Sequence, residues 1–200
     1  MTTFATAHPS YPLREWPEVI TLPVADGVQP SGKAPVRIFL GTEPAQYRAE
    51  RVFLWTVERH RDPARVYEII LMKRLAGFHN RRWLTGFTNY RFAIPHFAGG
   101  HGRAIYNDTD QLYLDDPAKL FDLDMDGHGY LAVSPRDTSV MLLDCEKMSK
   151  VWRFEYARRW RKNRLIDRAI ACPKYYGKLG GEWNARDQEY VAGRSKCVHF

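Results

Sequence analysis

An apolar run, Ala104-Ile105-Tyr106, leads straight into Asn107, Asp108 and Asp110, and the chain turns apolar again at Leu112-Tyr113-Leu114. Side chains at i and i+2 on extended backbone share a face. Asp108 and Asp110 can therefore converge on one hard divalent cation, magnesium or manganese, which keeps open positions for phosphate oxygens. The same acids also suit a plain turn between two strands, where aspartate is common. A second acidic group, Asp122, Asp124 and Asp126 before Gly127, opens like a calcium loop, but its twelfth position is Val133, where a carboxylate is needed. Those acids are read as an exposed loop.

Acids at the end of a buried strand need a sheet to hold them. "VRIFLG", residues 36 to 41, is a short apolar run stopped by glycine, as in a buried parallel strand. Ala49, Val52, Phe53, Thr56, Val57 and His60 then recur at helical spacing up to Asp62-Pro63, and "VYEIILM", residues 66 to 72, makes a second strand. This βαβ opening places its loops at the carboxyl ends of the strands, where ligands of open α/β sheets bind. From Thr88 to Phe97 the spacing predicts a helix kinked at Pro95. "RAIYN" is the next strand, and Asp116-Pro117 starts a helix with aspartate as cap and proline at the first position. "GYLAVS" and "SVMLLDC" are strands, followed by one long basic helix from about Glu146 to Ala169. Residues 1 to 35, with six prolines and little periodicity, read as an irregular arm; residues 36 to 200 read as a single α/β domain.

With 44% apolar and 14% aromatic residues over 200 positions, the chain is that of a folded globular protein. No stretch is long and apolar enough to span a bilayer and the start lacks a signal-peptide pattern, so a soluble, cytoplasmic protein is expected. Cys145, Cys172 and Cys197 have no zinc spacing, which suits a reducing compartment. The formal charge of +7 is concentrated partly in "RFEYARRWRKNRLIDR". That segment is either a solvated helix face or a surface for an anionic partner.

"YRFAIPHFAGGHGRAIYNDTDQLYLDDPAKLFDL" resembles a stretch of the family-8-like glycosyltransferases of the GT-A fold, where a helix with Tyr-x-Arg and Ile-Pro leads to a strand and an Asp-x-Asp motif. "DTSVMLLDCEKM", "NARDQEYV" and the terminal "CVHF" resemble three further segments of that family, in the same order. The resemblance covers about Val36 to Phe200 and implies a mostly parallel Rossmann-like sheet flanked by helices. It implies a hexosyltransferase-like enzyme acting on a UDP-sugar with manganese or magnesium, with retention of configuration and an acceptor that is a glycan, lipid or protein. Asp108, Asp110 and His199 are its implied metal ligands. Thr42, Glu43, Arg91, Asn107 and Asp108 are its implied donor contacts, and Asp187 and Gln188 its residues at the reacting sugar. Two departures stand out. Asp137-Thr138-Ser139-Val140 replaces the family's Asn-x-Gly-Val, and the chain ends before a Lys-Pro-Trp, which implies a missing C-terminal tail.

Two other readings belong to different classes. A nucleic-acid-binding protein would use the basic helix with Trp152 and Trp160 interleaved, although no nucleic-acid motif supports it and no nucleic acid is expected as partner. An inactive relative would bind the nucleotide-sugar and release no product. Peripheral membrane contact is a further use of the basic helix.

Overall fold

The structure is a computed structural model that describes residues 12–79 and 85–200. Within "KRLAGFHNRRWLTGF", residues 73 to 87, residues 80–84 lie outside the described residues, as does the start of the arm, residues 1–11.

In chain order the strands and α-helices are β1 (Glu18–Leu22), β2 (Val36–Gly41), α1 (Tyr47–His60), β3 (Tyr67–Met72), α2 (Ile94–Phe97), β4 (Arg103–Asp108), β5 (Gln111–Tyr113) and α3 (Pro117–Phe121). They continue with β6 (Tyr130–Ala132), β7 (Val140–Asp144), α4 (Cys145–Ser149), α5 (Phe154–Arg159), α6 (Lys162–Ile170), β8 (Tyr176–Lys178), β9 (Ala185–Arg186) and β10 (Cys197–His199). A seven-stranded sheet runs β1-β3-β2-β4-β7-β6-β8, and a small sheet runs β5-β10-β9. The large sheet is mixed: β3, β2 and β4 are mutually parallel, whereas β7 returns antiparallel beside β4. The parallel part is the expected βαβ opening, and its register sets Gly41 opposite both Met72 and Asp108 at one sheet edge.

Burial on both faces explains the apolar runs. Val36, Ile38 and Leu40 of β2 join Tyr67, Ile69 and Leu71 of β3 on one face, where Phe53 and Val57 of α1 cover them. Phe39, Ile70, Met72 and Tyr106 point to the other face, against Phe92 and Trp152. Phe92 and Trp152 meet edge to face at 5.0 Å, a geometry contributing about 0.5–1.5 kcal/mol beyond area burial. Asp116 caps α3 as expected: its carboxylate accepts from the Ala118 amide at 2.8 Å, with Pro117 at the first helical position.

Three expectations are corrected. The arm contains a strand, because β1 pairs antiparallel with β3 from Glu18↔Leu71 to Leu22↔Tyr67. Pro17 and Pro23 bracket it, and proline is tolerated at the ends of an edge strand, so the prolines concealed the element. The long basic helix is three short ones, α4, α5 and α6. Trp152 interrupts it by entering the core, its Nε1 donating to the Leu165 carbonyl at 3.0 Å. Asn89 then ends α5 by donating to the Ala157 and Trp160 carbonyls at 3.1 and 2.6 Å. The segment Tyr90–Ala93 is 3-10 helix, passing into α2 at Ile94.

Candidate active site

Residues at i and i+2 on β4 share a face, and the structure uses that rule for Tyr106 and Asp108. The Tyr106 hydroxyl donates to Asp108 Oδ1 at 2.5 Å. Arg91, from the 3-10 turn, grips the same carboxylate with Nη2 to Oδ1 at 2.9 Å and Nη1 to Oδ2 at 3.3 Å. Arg91 is 4% exposed and also donates to the Thr138 carbonyl, so its charge is directed at Asp108 rather than outward. Burial pushes the Asp108 carboxyl up, and Arg91 and the Tyr106 hydroxyl only partly offset it. Gly41 makes room for this arrangement: a methyl there would overlap the Tyr106 hydroxyl and crowd Phe87.

Asp110 lies beyond the strand, half exposed. His199 reaches it because β10 pairs antiparallel with β5, His199 opposite Gln111, and the Phe200 amide donates to the Asp110 carbonyl at 3.1 Å. His199 Nε2 stands 3.5 Å from Asp110 Oδ1. The hydrogen bond to Asp110 raises the His199 imidazole above its usual value. Burial opposes ionisation of Asp110, yet the His199 contact outweighs it and holds the carboxyl low.

Asn184 connects these groups to a buried polar network. Its Oδ1 faces His199 Nδ1 at 3.0 Å and accepts from Gln111 Nε2 at 3.3 Å, while its Nδ2 donates to Asp137 Oδ2 at 3.1 Å. An acceptor at Nδ1 assigns the proton to that nitrogen in the neutral ring, which leaves the Nε2 lone pair on the Asp110 side. Asp137, the departure from the family's asparagine, accepts from the Ser139 hydroxyl at 2.6 Å and pairs with Arg186 at 3.3 Å.

Of the remaining expected residues, Asn107 is placed on the opposite face of β4 from Asp108. It is fully buried, donating to Gln111 Oε1 at 2.8 Å and accepting from the Tyr113 hydroxyl at 2.9 Å. Its role here is to join β4 to the small sheet, not to reach solvent. Thr42 is 1% exposed, and its hydroxyl, at the end of β2, has no hydrogen-bond partner among the described residues. Glu43 accepts from the Gly86 amide at 2.8 Å and lines a pocket of ≈ 310 Å³ with Tyr47, Lys73 and Arg74. Asp187 and Gln188 are exposed on a 3-10 turn after β9 and share a cleft of ≈ 550 Å³ with Arg186, Glu189, His199 and Phe200. The structure thus pairs Arg91 with Asp108 and His199 with Asp110, and sets Asp187 and Gln188 beside His199.

The fold is that of the GT-A glycosyltransferases. In overall shape the chain matches the bifunctional glycosyltransferase WbbM with a TM-score of 0.65 over 86% of this chain and 47% of that one, at 12% identity. It matches the galactosyltransferase LgtC, solved with donor and acceptor sugar analogues, with a TM-score of 0.57 over 82% and 87% of the two chains, also at 12% identity. Mouse xyloside xylosyltransferase 1 matches at 0.56, over 84% and 98%, again at 12%. Such low identities establish a common fold alone. In sequence, Protein CDI of Arabidopsis thaliana is 33% identical over 121 residues, 56% of this chain and 47% of that protein. The chain therefore spans about half the length of the curated relative it matches. No protein-family model matches it.

Within this GT-A fold, reasoning from sequence missed Tyr106, Gln111, Asn184 and Lys162. Tyr106 was accessible from strand alternation alone, since it sits two residues before Asp108. Gln111 and Asn184 had no local signal, because their partners are distant in sequence. Lys162 begins α6, is partly buried and has no ion pair among the described residues. Burial pushes its ammonium down, as does the charge of Arg91, while Asp108 and Asp137 act in the opposite sense.

Among the described residues no three His, Cys, Asp or Glu side chains are gathered closely enough to share a metal ion. The donor chemistry nevertheless fits a divalent cation. A carboxylate offers about four acceptor positions, and Arg91 and Tyr106 occupy three of those on Asp108. One remains open on Asp108, and the Asp110 carboxylate and the Nε2 lone pair of His199 are donors of the types that such an ion takes.

Proposed function

We propose that this chain transfers a sugar from a UDP-linked donor to a hydroxyl acceptor, with manganese or magnesium held by Asp108, Asp110 and His199. One observation carries the reading: the pairing of β10 with β5 sets an imidazole 3.5 Å from the second acid of an Asp-x-Asp pair at the sheet edge of a GT-A fold. Carboxylate and imidazole ligands together suit manganese. When bound, the ion would offset the negative charge that builds on the departing diphosphate.

The chain's own residues have separate tasks in this reading. Arg91 and Tyr106 orient Asp108 and favour its ionised form, only partly offsetting the burial that favours the neutral one. Asn184 keeps the His199 lone pair turned toward Asp110. The unpartnered hydroxyl of Thr42 and the carboxylate of Glu43, at the end of β2, take the base and ribose. Lys162 offers its ammonium to the donor phosphates, and Asp187 and Gln188 contact the reacting sugar from the rim of the cleft. Retention of configuration follows from the family resemblance, and NMR of the product decides it. The acceptor enters through the cleft beside Phe200.

The test is release of UDP from a panel of UDP-sugars with manganese, with Asp110→Asn as control. Loss of the turnover by a factor of roughly 100 or more is expected if the carboxylate holds the ion. Turnover undiminished in the variant would remove the metal role of Asp110.

A further inference from the structure

The excess positive charge of the chain is confined to one region. Residues 150–174 contain nine lysines and arginines against two acids, Glu155 and Asp167, which accounts for the whole formal charge of +7 and leaves the remainder of the chain balanced. Asp167 is already paired, with Arg136 at 2.6 Å. Among the described residues Lys150, Arg153, Arg164, Arg168 and Lys174 have no carboxylate within ion-pair distance. Like charges gathered without counter-charges repel one another, and an anionic partner relieves that repulsion.

The two central arginines are also fixed in place. Tyr156 and Trp160, one turn apart in sequence, stack with ring centroids 4.1 Å apart. The Arg164 guanidinium lies 3.8 Å from the Trp160 ring centroid, and that of Arg168 lies 5.2 Å from Tyr156. Arg168 Nε donates to the Val151 carbonyl at 3.2 Å, which anchors it further. A guanidinium held against a ring keeps N–H donors for phosphate oxygens and loses little freedom when they bind. Arg164 and Arg168 are one turn apart on α6 and open on one groove of ≈ 450 Å³, with Lys150 and Tyr175 on its walls.

We infer that this α5–α6 face docks the protein on an anionic phospholipid surface, with Arg164 and Arg168 as the headgroup-phosphate contacts. Charge complementarity selects an anionic partner, and the aromatic residues distinguish its class. Single-stranded nucleic acid binds by stacking bases on free aromatic faces. Tyr156 and Trp160 are instead stacked on each other and covered by Arg164 and Arg168. Half-buried Tyr156, Trp160 and Tyr175 interleaved with cations form the composition of a membrane–water interface, where basic residues are drawn to anionic leaflets. Docking is independent of the transfer reaction, because lipid binding is read without turnover.

The experiment is co-sedimentation of the full chain with vesicles of phosphatidylcholine alone or with about 30 mol% phosphatidylserine, over a salt series. Binding to the anionic vesicles alone, weakening as salt rises, is expected. R164Q/R168Q should bind roughly tenfold less tightly or worse, and R48Q/R59Q, which removes equal charge from α1, within about twofold of the parent. K150Q/K174Q leaves the aromatic stack untouched and should weaken binding in the same direction, so a folding defect in the arginine variant does not blur the outcome. Equal loss in the α1 variant, equal binding to neutral vesicles, or tighter binding to a 20-mer oligonucleotide than to anionic vesicles at the same salt each overturns the inference.

Discussion

Asp108 illustrates how one side chain serves two demands at once. Its carboxylate is mostly buried, a setting that favours protonation, yet Arg91 and Tyr106 hold it in one orientation with three hydrogen bonds. Asn184 has the analogous task for His199. Asn184→Ala is expected to lower manganese affinity by about 10- to 100-fold, read as a rightward shift in the metal dependence of UDP release. Asp137 makes a different prediction. Burial, its largest single influence, opposes ionisation, but the Ser139 hydrogen bonds and the Arg186 charge outweigh it, so its pKa lies below 3.8. A carboxyl depressed on folding contributes stability that is present above the unfolded value and lost as pH falls through the folded one. Asp137→Asn should therefore melt at a lower temperature than the parent at pH 6, with the gap closing as pH falls below about 3.8. Melting curves followed by circular dichroism across that range check the sign. A gap that widened in acid would contradict it.

Among the elements, β4 depends on the small size of a residue in its neighbour. Gly41 on β2 lets the Tyr106 ring lie across the sheet edge. Gly41→Ala is expected to destabilise the fold by about 1–3 kcal/mol through overpacking and to loosen Asp108, measured as a lower urea midpoint with an unchanged m-value. The helices show the limits of local pattern. Asp116-Pro117 announced α3 because a cap and a proline are local signals, whereas the breaks between α4, α5 and α6 were invisible. No glycine or proline interrupts Lys150–Trp160, and what ends those helices is Trp152 entering the core and Asn89, some seventy residues earlier, taking the carbonyls of Ala157 and Trp160. The edge strand β1 was obscured in the opposite way, by prolines that an edge position tolerates.

At the scale of the molecule, the candidate site exists only where two sheets meet. The seven-stranded sheet brings Asp108 to its edge, and the small sheet brings His199, Asn184 and the Asp187–Gln188 turn to meet it. Ligand binding across that junction is expected to stabilise the whole chain. With manganese and UDP each at about 100 times its dissociation constant, the melting temperature should rise by roughly 10–20 °C, and this rise should vanish in Asp110→Asn. No shift with any nucleotide and metal would count against donor binding.

From its sequence alone the chain could be read as α/β, with the β2–α1–β3 opening and the Asp-x-Asp pair after β4, because alternation, helical spacing and capping are encoded by near neighbours. The meeting of Asp110 with His199, the diversion of Arg91 onto Asp108, the inward turn of Asn107 and the division of the basic segment were decided by tertiary structure. Several of these depend on groups far apart in the chain, 17 positions for Arg91 and Asp108 and 68 for Asn89 and Ala157. No local pattern carries such a contact, since only burial and strand pairing determine which distant groups share a site.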